Sequence, residues 1–276
     1  MLKTIWDRYI TGTRLEAARE CELYRSETPQ RQRDRHVVIV FATILMSLLF
    51  IRFFGNPQNT DLTRSVLSGI GLDGWAADLK QWLYADPDAR LNQRVYWAIW
   101  RLFGYAILPM IVIVVWLREP LAEYGMRVRG TLAHWKIYAV LLVGIAPVVV
   151  IASYSGDFQA KYPFYRVARG EDLWPAFWTW ELLYAAQFVG LEIFFRGFMV
   201  HGLKRHMGFL AVPVMMVPYL MIHFSKPFAE ASGSIIAGFV LGALALKSRS
   251  VWWGAVVHVV VAVSMDVLSL WQRDLL

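Results

Sequence analysis

The sequence predicts an all-α polytopic membrane helix bundle of about seven transmembrane helices, with six to eight as the range. Three observations carry this. The 276 residues are 57% hydrophobic, with a mean hydropathy of +0.42. Charged residues make up only 18%, below the roughly 25% of a soluble domain. Apolar runs of about 20 residues, the length that crosses hydrocarbon, recur along the chain. The 13 tryptophans fit the same picture, because indoles collect at the membrane–water interface.

Seven runs qualify: residues 37–54, 95–117, 136–154, 174–200, 207–224, 230–247 and 250–271. Arg52 lies near the end of the first, where its long side chain can snorkel to the interface. The second carries Arg101, the third Pro147, and the fifth Pro213 and Pro218. Proline is accommodated in a membrane helix when neighbours satisfy the freed carbonyl. In the sixth run Ser234, Gly238 and Gly242 recur every four residues, a small-residue stripe that lets another helix approach closely. Between the first two runs, residues 75–90 place Trp75, Leu79, Trp82 and Leu83 on one side. That stretch reads either as a short interfacial helix or as an ordinary loop helix.

The formal charge is +7. Residues 1–36 hold Lys3, Arg8, Arg14, Arg25 and Arg33 among their basic groups, and Arg118, Arg127, Lys204, Lys247 and Arg249 fall in connections on the same side of a seven-span chain. The positive-inside rule therefore predicts a cytoplasmic N-terminus. Acidic residues such as Glu16, Glu20 and Asp34 interleave with these bases, so an ordinary solvated segment is expected rather than a lipid or partner dock. No basic patch interleaves with aromatics, and nucleic acid is not an expected partner. Cys21 is the single cysteine, which excludes an intrachain disulfide and a multi-cysteine zinc site. No small-residue cleavage site follows an early apolar core, so the first hydrophobic run is expected to remain as an anchor. The chain divides into a basic N-terminal segment (1–36), N-terminal membrane helices with an interfacial loop (37–173), and a C-terminal membrane core (174–271).

Ionisable groups inside the membrane are costly and mark function or a structural pairing. Glu192 and Arg196 stand one turn apart in "LEIFFRGF", His223 ends "PYLMIH", and His258 lies in the last run. Asp266 is two turns beyond His258, and Glu181 three turns before Glu192, each sharing its neighbour's face. His201 and His206 flank a short connection and are expected at the surface. Glu192 and Arg196 can simply pair with each other. Together with two histidines on other helices, the carboxylate can instead activate water, with a histidine stabilising an oxyanion. The same trio is also a possible metal triad. At about 1.5 Å per residue, Glu192, His258 and His223 lie about 18, 12 and 24 Å from the inner ends of their runs, a spread that helix tilt would narrow. No HExxH or GxSxG is present, so neither a one-helix zinc protease nor a serine nucleophile is indicated.

These motifs resemble the CPBP family (CAAX proteases and bacteriocin-processing proteins, also called Abi). The family pattern is EExxxR, then FxxxH, then HxxxN. Here the counterparts are "LEIFFR" (191–196), "YLMIH" (219–223) and "HVVVA" (258–262). The resemblance covers about 174–271. It implies intramembrane peptide-bond hydrolysis by glutamate-activated water, on a membrane-associated protein or peptide, in a bacterial inner membrane. The implied catalytic residues are Glu192, His223 and His258, supported by Arg196, Tyr219 and Asp266, with no cofactor expected and a metal left open. Leu191 stands where the family has its first, water-activating glutamate and Ala262 where it has asparagine, so Glu192, at the second glutamate, would be the base or its support. Glu181, Glu230 or Asp266 is a candidate replacement carboxylate. The alternative is a catalytically inactive binding or immunity protein that holds a membrane peptide.

Overall fold

The computed structural model describes residues 2–128 and 130–276, with no β-strand among them. In chain order the helices that build it are α1 (Gly12–Glu27), α2 (Gln30–Phe54), α3 (Asp61–Gly69), α4 (Asp73–Tyr84), α5 (Ala89–Leu117), α6 (Trp135–Ser153), α7 (residues 176–207), α8 (Ala211–Met221), α9 (Phe228–Ser248) and α10 (Trp252–Trp271).

Six continuous helical stretches are long and apolar enough to cross a membrane, and one of them, Ala176–Met221, runs for 46 residues. Straight, it would measure about 69 Å, twice the roughly 30 Å hydrocarbon core. It is not straight. Gly208 adopts φ 58°, ψ −134°, a backbone that a residue with a β-carbon would strain to reach. The chain turns there, and α8 folds back along α7 so that Tyr219 packs edge-on against Phe195, ring centroids 5.1 Å apart. The structure thus offers six candidate spans among the described residues, within the expected range of six to eight, and α8, at 11 residues, is too short to count as a span of its own. The expected connection at 203–206 is corrected: Gly202–Met207 is helical, and the turn begins at Gly208.

α7 is the most buried of the spans and packs between α5 and α10. α8 lies against α9 along the small-residue stripe. A β-carbon on Gly242 would stand 2.9 Å from Val212, and one on Gly238 would stand 3.1 Å from Met216 and 3.2 Å from Tyr219. The stripe is a packing surface, as its spacing predicts. Arg101 is accommodated within α5 by lying over the Trp97 ring, 3.5 Å from its centroid. In α4, Ala76 and Leu83 face inward while Trp75 stays 70% exposed.

Two expectations are overturned. His201 is 3% exposed rather than on the surface, because α7 carries it under the turn at Gly125. The N-terminal segment is not simply solvated. α1 packs on the turn after α7, with Cys21 Sγ donating to the His206 carbonyl at 3.4 Å. Glu20 pairs with Lys204 at 3.2 Å and with Arg249, and Glu16 with Lys247 at 2.6 Å.

Candidate active site

Glu192 closes the regular α-helical part of α7, and from Ile193 to His201 the helix widens to i→i+5 geometry. Such widenings often occur at functional sites, although α2 and α5 contain them as well. Arg196 follows one turn on, and its Nη1 stands 2.9 Å from Glu192 Oε1. Both residues are fully buried. The wall around them is Phe194, Phe195 and Phe198, each 0% exposed. In such surroundings neither charge is tolerable alone, and each compensates the other's desolvation.

Two further helices supply the rest. His258 of α10 places Nδ1 2.7 Å from Glu192 Oε1. Its Nε2 is 3.0 Å from the Tyr219 hydroxyl of α8. A carboxylate only accepts, so Nδ1–H donates to Glu192, and in the neutral ring Nε2 accepts from the Tyr219 O–H. The Arg196 guanidinium lies over the other side of the same tyrosine, 4.2 Å from the ring centroid, a cation–π contact. The four groups thus form one connected set. Phe188, one turn before Glu192, stacks on the His258 ring at 5.2 Å and 22°.

His223 sits just past the end of α8. Its Nδ1 donates to the Tyr219 carbonyl at 2.7 Å, and its ring lies 4.7 Å from that of Tyr219. In the neutral ring this leaves Nε2 as an acceptor. Glu192, Arg196 and Tyr219 are sealed from solvent, while the His258 side chain keeps 15% exposure. His258 is the member that an incoming molecule would meet first.

One atom stands out. Glu192 Oε1 takes both contacts, and Oε2 has no hydrogen-bond partner although it is buried. It faces the backbone of Gly254, where a β-carbon would come within 2.6 Å.

Asp266 does not join this set. It lies about 12 Å further along α10 from His258, and both its oxygens accept from the Phe164 N–H at 3.1 and 3.2 Å. Glu181, 4% exposed, leaves both carboxylate oxygens without a hydrogen-bond partner. Glu230 pairs with Lys226 at 2.9 Å and accepts from Tyr162 at 2.7 Å. None of the three pairs with Glu192 among the described residues. Among the described residues, no three His, Cys, Asp or Glu side chains are grouped to hold a metal ion.

Residues 173–264, a third of the chain, match the family model described as type II CAAX prenyl endopeptidase Rce1-like. This segment is similar to Rce1-like domains. It contains Glu192, Arg196, Tyr219, His223 and His258. No curated protein and no solved structure matches the chain.

Within the matched segment the sequence motifs locate four of the five site side chains by their charge or imidazole. The tyrosine hydroxyl that links His258 to α8 was not legible, since Tyr219 reads as the aromatic of "YLMIH". Nor was Gly254, whose only sequence signal is a glycine following two tryptophans one turn before His258. Phe188 could have been found from its i−4 spacing to Glu192.

Proposed function

We propose that the chain is an intramembrane endopeptidase of the CAAX-protease kind, acting on a membrane-associated protein or peptide. The observation that carries the reading is Glu192 itself: one oxygen is anchored 2.7 Å from His258, and the other is buried without a partner. An unsatisfied acceptor of this sort is where a water is best held.

In this reading Glu192 Oε2 takes a proton from water, and the hydroxide attacks the scissile carbonyl carbon. His258 Nδ1–H and Arg196 keep Oε1 fixed, so that the free oxygen keeps its aim. His223 Nε2 accepts from the water's other hydrogen and orients it. The Tyr219 O–H turns from His258 to the developing oxyanion, the role left open by Ala262. The proton on Glu192 then passes to the departing amine nitrogen, which restores the carboxylate. Entry of substrate requires the wall at Phe188 and His258 to part. The chemistry draws on water and protein groups alone. The protein sits in a bacterial inner membrane with its N-terminus in the cytoplasm, the side on which the basic residues gather.

A second reading rests on its own observation. Leu191 and Ala262, where the family has polar groups, are 4% and 5% exposed and belong to apolar clusters. A closed set of polar groups lacking those two suits an inactive protein that holds a membrane peptide. Comparing protein termini in cells making wild type or Glu192→Gln, at matched levels, separates the two. An anchored protein left uncut only in the variant supports hydrolysis. Unchanged termini with a folded variant assign the binding role.

A further inference from the structure

A cleft of about 420 Å³ opens between the N-terminal segment and the Rce1-like domain, lined by Arg25, Gln30, Arg33, Asp34, Val37 and His206. It touches three elements: the end of α1, the first two turns of α2, and the last turn of α7. Val37 begins the first apolar run. In a membrane the cleft therefore lies where polar chain gives way to hydrocarbon, at the depth of lipid headgroups.

Its charges are unspent. Glu16 and Glu20, the acids that would balance the segment, are engaged with Lys204, Lys247 and Arg249 of the domain. Arg25 and Arg33 form no salt bridge among the described residues; they donate to the carbonyls of His206 and Arg25, at 3.1 and 2.6 Å. Arg33 also donates to the Gln30 side chain. Behind them are two imidazoles. His36, 8% exposed, stands 4.9 Å from the His206 ring, and Nε2 of each is buried without a partner. The one acid among the lining residues is Asp34, whose Oδ1 accepts from Gln30 at 2.6 Å, and Glu119 lies on the side of the two imidazoles.

We propose that this cleft binds a phosphate group, carried by an anionic lipid or free in solution, and so ties the N-terminal segment to the domain. Two guanidinium forks with uncompensated charge match phosphate oxygens, and the unpartnered imidazoles can add donors. The site is independent of Glu192 and of any hydrolysis.

The test uses the full-length protein in neutral detergent, with bound phosphatidylglycerol counted by native mass spectrometry. Arg25→Gln/Arg33→Gln should weaken binding about tenfold. Arg31→Gln/Arg35→Gln removes the same charge from exposed positions outside the cleft, and should change it by less than about twofold. Asp34→Asn should tighten binding, a gain that misfolding cannot produce. Inorganic phosphate forms the second arm. Displacement of the lipid in wild type supports the site with free phosphate as an accepted ligand, and lipid binding that resists phosphate supports it with the lipid as ligand. Equal losses in the two double variants, or no binding of either compound, would overturn the proposal.

Discussion

A β-carbon on Gly254 would stand 2.6 Å from Oε2 of Glu192. Backbone of the last helix closes one side of the carboxylate of α7, and that side has no room for a methyl group. Gly254→Ala must therefore push the carboxylate away from His258 or move α10. Overpacking of this kind costs about 1–3 kcal/mol. The variant should remain folded, with a lowered melting midpoint, and lose cleavage of its cellular substrate at least as fully as Glu192→Gln.

The Glu192–Arg196 pair predicts a non-additive stability pattern. Removing one partner leaves a buried charge uncompensated, at about 3–5 kcal/mol. Arg196→Met and Glu192→Leu should each lower the unfolding midpoint in detergent strongly. The double variant should recover much of the loss. Additive losses would show that the two charges do not depend on one another.

Tyr219→Phe removes one hydroxyl and leaves the ring that packs on Phe195 and under Arg196. His258 Nε2 then loses its partner, at about 1–3 kcal/mol of stability. If the hydroxyl also stabilises the oxyanion, kcat should fall about 100-fold with KM little changed. A rise in KM alone would limit Tyr219 to binding.

Chelation should leave activity intact, and elemental analysis of purified protein should find no stoichiometric zinc. The ground is how the donors are already used. His258 commits both ring nitrogens to Glu192 and Tyr219, and His223 turns Nδ1 onto a backbone carbonyl. Zinc that co-purifies, and whose removal abolishes activity, would refute this.

What the sequence reveals and what it hides follow from range. The crossings are legible because hydropathy and length are local properties, and each apolar run became a helix. The turn after α7 was misplaced by a few residues, since Lys204 and Arg205 read as loop although their turn is helical. Glu192 and Arg196 were legible as a pair because they are one turn apart. The N-terminal contacts were not: Glu20 meets Arg249 from 229 positions away, and no local pattern announces such a pairing. The same holds for Asp266. Its helical phase puts it near His258's face, but Phe164, from elsewhere in the chain, claims its carboxylate.

The set around Glu192 also has an order in time. Its residues come from α7, α8 and α10, and His258 and Gly254 both belong to the last of these. A ribosome delivers Glu192 and Arg196 to the membrane first, then Tyr219. Until Trp252–Trp271 has followed, the nascent chain holds the ion pair without His258. The set around Glu192 is thus completed only when the last helix is in place.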